Sequence, residues 1–276
     1  MKKYKLVEKY SAKQKEGITL SQSSIDTMEK CPRQYYLQYI LKLKVPDDQT
    51  ALVFGRMFHL IIENYTGGGQ EEIKGLFNLF KEDEKLREKY WDKLDDPYKD
   101  KVVKTLYNVN FYLKNRYAKI SDFEHERQID IYDYDKVDGK SIHLQGKLDG
   151  IYTIGETLFI TDFKTGKKQK DHSKQLGFYL FLLSKSDTGH PNKASGEIVN
   201  LTLDSQSGYD DVLEYHNLEE YDIIRSENRV KSAISTLKTN GINLEDKDNW
   251  VKKPQKLCNW CKYYKSGNCN GKSSGD

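Results

Sequence analysis

The sequence predicts an α/β fold: a central mixed sheet flanked by helices, with a helical N-terminal region in front and a cysteine-bearing tail behind. Three observations lead there. Apolar residues recur mostly at helical spacing up to Lys119. After Ser121 the pattern shortens to strand-like alternation, with turn signals at Asp138-Gly139 and Gly155-Glu156. Beyond His172 a helical segment, two strand segments and a long polar helix follow one another. The 276 residues suffice for one elaborated domain or two small ones. The expected divisions are a helical region over 1–120, a core over 121–245 and a tail over 246–276.

The first helix starts behind Ser21, Ser23 and Ser24, which cap well, and carries Ile25 and Met28. Pro32 fits a helix's first turn but not its interior, so one helix ends near Lys30 and another starts at Cys31-Pro32. Ala51 to Tyr65 reads as a buried helix stopped by Gly67-Gly68-Gly69. Glu71 to Lys89 and Pro97 to Lys119 read as charged amphipathic helices that could arch over a site. Phe123 to Tyr134, Ser141 to Ile154 and Thr157 to Phe163 form a three-strand meander whose acidic residues lie at its far edge. His172 to Leu183 is a helix, Glu197 to Leu203 and Val212 to His216 are strands, and Leu218 to Asn240 is a helix. The terminal NGKSSGD is expected to be disordered.

Charge narrows the function only locally. The 45 basic and 42 acidic residues leave a net charge of +3, so any nucleic-acid footprint must be a patch. Lys164, Lys167, Lys168, Lys170 and Lys174 supply one. No run approaches the ~18 apolar residues of a membrane span, and the lysines near Met1 have no apolar stretch behind them, so a cytoplasmic protein is expected.

The chemistry concentrates in Asp149, Asp162 and Lys164. Carboxylates on adjacent strands provide the hard oxygen ligands that Mg²⁺ or Mn²⁺ prefers. Asp162 and Lys164 lie two apart on one strand and therefore share a face. A lysine there can orient an attacking water or stabilise charge on a phosphate. Gln175 and Tyr179, four apart on the next helix, point the same way.

GKLDG followed by LFITDFKTG and then QLGFY resembles the PD-(D/E)XK nuclease superfamily, in particular its RecB-like branch. Gly55 and His59 in GRMFH match the G-x-x-x-H element of that branch. A hydrophobic residue, Leu148, stands where the family name has proline. The resemblance implies that His59, Asp149, Asp162 and the Phe163 carbonyl bind the catalytic cation, and that Lys164 is the catalytic lysine. It makes Gln175 and Tyr179 supporting and DNA-contacting residues and Glu126 a further acidic candidate.

Cys258, Cys261 and Cys269 stand close together at the C-terminus, and Cys31 is the only other cysteine. Cys-x2-Cys can grip one metal or one cluster from a tight turn. A disulfide framework does not suit a chain of this size without a secretion signal. Spacing alone leaves zinc and iron–sulfur open. Resemblance to the iron–sulfur nucleases of the AddB and CRISPR-associated RecB-like types implies a [4Fe–4S] cluster, with structural Zn²⁺ as the alternative. Arg33 and Tyr36 beside Cys31 offer charge and aromatic surface for unpaired bases, as do Tyr263, Tyr264 and Lys265 beside Cys261.

The expected function is metal-dependent DNA exonuclease activity on single-stranded ends, in recombination, repair or viral DNA processing, with helicase or recombination proteins as partners. The alternatives are a structure-specific endonuclease and a non-catalytic DNA-binding subunit. Polarity, DNA versus RNA preference and oligomeric state are not legible in the sequence.

Overall fold

The computed structural model describes residues 6, 16–115, 120, 123–166, 172–186, 191–202, 213–243, 249–253 and 256–269. Lys167, Lys168, Lys170 and the terminal NGKSSGD lie outside them.

Capping starts the first helix where the serines predict. Ser21 Oγ accepts from the Ser24 N–H and Ser24 Oγ from the Ser21 N–H, so two helix-end donors are satisfied reciprocally. This helix, α1 (Gln22–Lys30), ends at Cys31, whose extended backbone separates it from α2 (Pro32–Tyr35). A π-helical turn over Tyr36–Ile40 follows. Four more helices come next: α3 (Thr50–Glu63), α4 (Gly69–Glu82), α5 (Glu84–Lys89) and α6 (Asp96–Asn115). The single helix expected over Glu71 to Lys89 is divided by Asp83, whose carboxylate accepts from the Leu86 N–H at 3.0 Å and caps a new start.

The sheet has six strands among the described residues: β1 (Ile18–Leu20), β2 (Glu124–Val137), β3 (Lys140–Ile154), β4 (Thr157–Lys164), β5 (Lys193–Asn200) and β6 (Leu213–Leu218). The meander β2-β3-β4 is antiparallel as expected. One long edge of β3 takes β2, so its other edge is shared by β1, parallel near Ile142 to Leu144, and β4, near Gly150 to Ile154. Three residues are too few for a periodicity, and β1 escaped the sequence reading. Strand β4 is the far edge of the meander as expected, and it is interior to the whole sheet because β5 pairs with it in parallel and β6 lies beyond. A parallel neighbour needs a crossover. Helix α7 (Ser173–Lys185) provides it.

Two apolar cores result. One gathers α1, α7 and α8 (Glu220–Asn240) with Ile160, Ile198, Trp250 and Tyr263. The other gathers α3, α4 and α6 with Phe163, Val199 and Leu201. Region 1–120 thus contributes to both. Helix α7 is buried without interruption from Leu176 to Leu183. It comes so close to β3 that a Cβ on Gly146 would overlap Leu182. The tail adds a 3-10 turn (Lys256–Trp260) and α9 (Lys262–Lys265). Among the described residues no helix is long and apolar enough to cross a membrane.

Candidate active site

Helix α3 places Arg56, His59 and Glu63 along one face, at the spacings that neighbour one another on a helix. Gly55 lets it approach the end of β4, since a Cβ there would stand 2.9 Å from Thr165 Oγ1. The glycine of GRMFH is therefore a packing requirement for bringing His59 to the strands.

His59 meets the acidic residues directly. Its Nδ1 lies 3.1 Å from Asp149 Oδ1, and its Nε2 lies 3.1 Å from the Phe163 carbonyl oxygen. The other Asp149 oxygen accepts from the Phe163 N–H at 2.9 Å. Lys164 Nζ stands 2.5 Å from Asp162 Oδ2 and donates to Gln175 Oε1 at 2.8 Å. Gln175 Nε2 donates in turn to Asp162 Oδ1 at 2.6 Å and to Tyr179 OH at 2.8 Å. One amide thus holds the carboxylate and the ammonium together. These residues line an open cleft of about 430 Å³.

Electrostatics sets the two carboxyls apart. Burial raises Asp149, but the His59 imidazole, the Phe163 N–H and Lys164 together hold it below its ordinary value. Burial also raises Asp162, and repulsion from Asp149 adds to it; Lys164 offsets only part, leaving its carboxyl at about 6. Burial works against a charged His59, yet Asp149, Asp162 and Glu63 outweigh it and raise the imidazole. Burial, then Asp162 and Asp149, push the Tyr179 phenol well up, so it stays neutral. Neighbouring acids pushed in opposite directions are a pattern that functional sites share with buried ion-pair networks.

The structure adds Arg56, Glu63 and Lys147. Arg56 and Lys147 line the cleft. Buried Glu63 accepts from Arg56 at 2.8 Å and from Lys147 at 3.5 Å, fixing both cations at the wall. The available signals were the placement of Arg56 inside GRMFH, of Glu63 four residues after His59, and of Lys147 two before Asp149.

The donor set suits Mg²⁺ or Mn²⁺: two carboxylates, a carbonyl and an imidazole, the last favouring Mn²⁺. Among the described residues no three His, Cys, Asp or Glu side chains are gathered tightly enough to hold a single ion; His59 engages Asp149, and Lys164 engages Asp162. Glu126 falls within β2, and its side chain lies outside the described residues.

Two expected DNA contacts are corrected by burial. Tyr36 has no exposed surface, stacks on Trp250 at 5.4 Å and donates to the Asn243 carbonyl. Arg33 is buried beside the Tyr36 ring. A ring covered by tryptophan cannot stack on a base, so both residues serve packing. The exposed aromatic of this region is Trp260, 79% exposed, with Lys265 Nζ 5.6 Å from its ring. Helices α4 to α6 contribute no residue to the lining of the cleft.

Cys31, Cys258, Cys261 and Cys269 line one cavity of about 60 Å³, and none is in a disulfide.

A model of the PD-(D/E)XK nuclease superfamily matches residues 19–266, and the chain belongs to that superfamily. A component of the ATP-dependent helicase/deoxyribonuclease of Clostridium perfringens ATCC 13124 is 26% identical over 270 residues, covering 84% of this chain and 22% of the relative. Its counterpart in strain SM101 is 26% identical over 228 residues, covering 69% and 20%. The chain thus spans about a fifth of the length of these curated relatives. Among solved structures, SSO0001 aligns over 95% of this chain and 91% of its own at 14% identity, with a TM-score of 0.39.

Proposed function

We propose that the chain is a metal-dependent DNA nuclease working from strand ends, an exonuclease that prefers single strands and acts in recombination, repair or viral DNA processing. The observation that carries the reading is the convergence of His59, Asp149, Asp162 and Lys164 in one open cleft. His59, Asp149, Asp162 and the Phe163 carbonyl would hold Mg²⁺ or Mn²⁺, which when bound stabilises charge on phosphate and lowers the pKa of a water. Lys164 presents its ammonium to the reacting phosphate, and Gln175 orients it. Tyr179, as a neutral phenol, keeps a hydroxyl for Gln175 and for substrate. Arg56 and Lys147 supply the charge that draws the phosphate backbone into the cleft.

Single-strand preference rests on Trp260 beside Lys265, an exposed ring with a neighbouring cation on which an unpaired base can stack. The name of the C. perfringens relatives supports a helicase as partner. A second reading, endonuclease action, is favoured by the open cleft wall without α4 to α6. The shared cavity of the four cysteines supports a [4Fe–4S] cluster that pins both chain ends.

The test uses labelled linear and circular DNA, single- and double-stranded, with Mg²⁺ or Mn²⁺. Cutting of linear DNA alone supports the exonuclease; cutting of circles transfers the assignment to the endonuclease; no cutting by an intact preparation leaves a DNA-binding subunit. Anaerobic protein should carry iron and sulfide in equal amounts, lost in Cys258→Ser. Bound zinc without iron would replace the cluster.

A further inference from the structure

Asn200 ends β5, one strand across from Lys164. The parallel register pairs Lys164 with Asn200 as it pairs Asp162 with Ile198 and Thr161 with Glu197. Partners in neighbouring strands project to the same face. On one face Thr161 Oγ1 donates to Glu197 Oε2 at 2.9 Å. On the other, Ile160 and Ile198 join the core beneath α7. Alternation therefore puts Asn200 on the face of Asp162 and Lys164.

The Asn200 side chain is 1% exposed, and neither its Oδ1 nor its Nδ2 has a hydrogen-bond partner. Burying an amide with both ends unmade is costly, and an apolar side chain of the same shape avoids that cost. Departures of this kind from good packing collect where a residue is used. Lys164 offers three protons and engages two acceptors, Asp162 and Gln175. When Asp162 turns its carboxylate toward a cation, one of those acceptors is drawn away.

We propose that Asn200 is a positioning residue for Lys164. Its Oδ1 accepts the N–H that Asp162 gives up and holds the ammonium over the reacting phosphate. The inference rests on the nuclease reading and extends it to a residue outside the cleft lining.

The experiment compares the full chain with Asn200→Leu, which is close in shape, and Asn200→Asp, which keeps the acceptor. Without metal, Asn200→Leu should melt roughly 2–4 °C higher than wild type, because the unmade amide is gone. With Mn²⁺ its kcat should fall roughly tenfold while KM moves less than about twofold, and Asn200→Asp should stay within about threefold of wild-type kcat. A leucine variant that cuts at the wild-type rate overturns the assignment, as does one that loses stability and activity together. If Asn200→Leu does not fold, Asn200→Ala carries the same kcat and KM test: full activity overturns the proposal, and a kcat loss recovered by aspartate supports it. Wild-type protein that cuts nothing overturns the nuclease reading and this inference with it. Wild-type cutting matched by the leucine variant overturns this inference alone.

Discussion

His59 Nδ1 stands 3.1 Å from Asp149 Oδ1, and its other ring nitrogen faces the Phe163 carbonyl at the same distance. Both contacts are hydrogen bonds only for an imidazolium, so protons occupy the ring positions through which His59 would bind metal. Metal binding should therefore release a proton. We expect Mn²⁺ affinity to tighten by up to about tenfold per pH unit below the His59 pKa and to level off above it. Calorimetry in buffers of different ionisation enthalpy measures the release, and His59→Asn should abolish it. Proton release unchanged in that variant would remove His59 from the ligand set.

Asp162 supplies a stability prediction with a definite sign. Its carboxyl lies at about 6 in the fold against an ordinary 3.8, so the folded state holds this proton more tightly than the unfolded one. Its contribution is fully favourable below 3.8 and is lost as pH rises through about 6. Asp162→Asn, neutral throughout, should gain on wild type across that window and keep its advantage above it, while losing cleavage. Denaturant midpoints on both sides of the window decide this; a difference independent of pH would mean the carboxyl is not raised.

Lys164→Met keeps the aliphatic stem and removes the ammonium. Loss of an aimed positive charge should lower kcat roughly 100-fold or more with little change in KM. Steady-state kinetics on end-labelled DNA provides the readout, and a change confined to KM would make Lys164 a binding residue only.

Gly55→Ala should push α3 away from the end of β4, because the new Cβ would meet Thr165 Oγ1 at 2.9 Å. The expected cost is about 1–3 kcal/mol of stability together with lost activity. Adding Thr165→Ala removes the opposing oxygen and should restore much of both. A double-mutant cycle with no coupling would show that the helix is held elsewhere.

Much of the fold was legible because its signals are local. The serine caps, the Pro32 break, the Gly67 to Gly69 stop and the meander turns each depend on a few adjacent residues. Asp149, Asp162, Lys164, Gln175 and Tyr179 were legible because short motifs carry them. What escaped has a physical cause in each case. The cap at Asp83 looks like one charge among many until its carboxylate is seen on the Leu86 N–H. The grouping of Arg56, Glu63 and Lys147 shows only in three dimensions, where a buried carboxylate ties the two cations to the cleft. Tyr36 reads as an aromatic available to bases, and only Trp250, from the far end of the chain, covers it.

By itself the sequence determined most of the elements and their order, and it singled out the acidic, basic and thiol residues as candidates, since capping, periodicity and motif spacing act within a few residues. Tertiary structure decided that β4 is interior, that His59 lies against Asp149, and that the four thiols share one cavity. It also buried Arg33 and Tyr36 and set Asn200 beside Lys164. Those outcomes depend on which distant segments meet, and strand pairing and core packing settle that by burying surface no local pattern encodes.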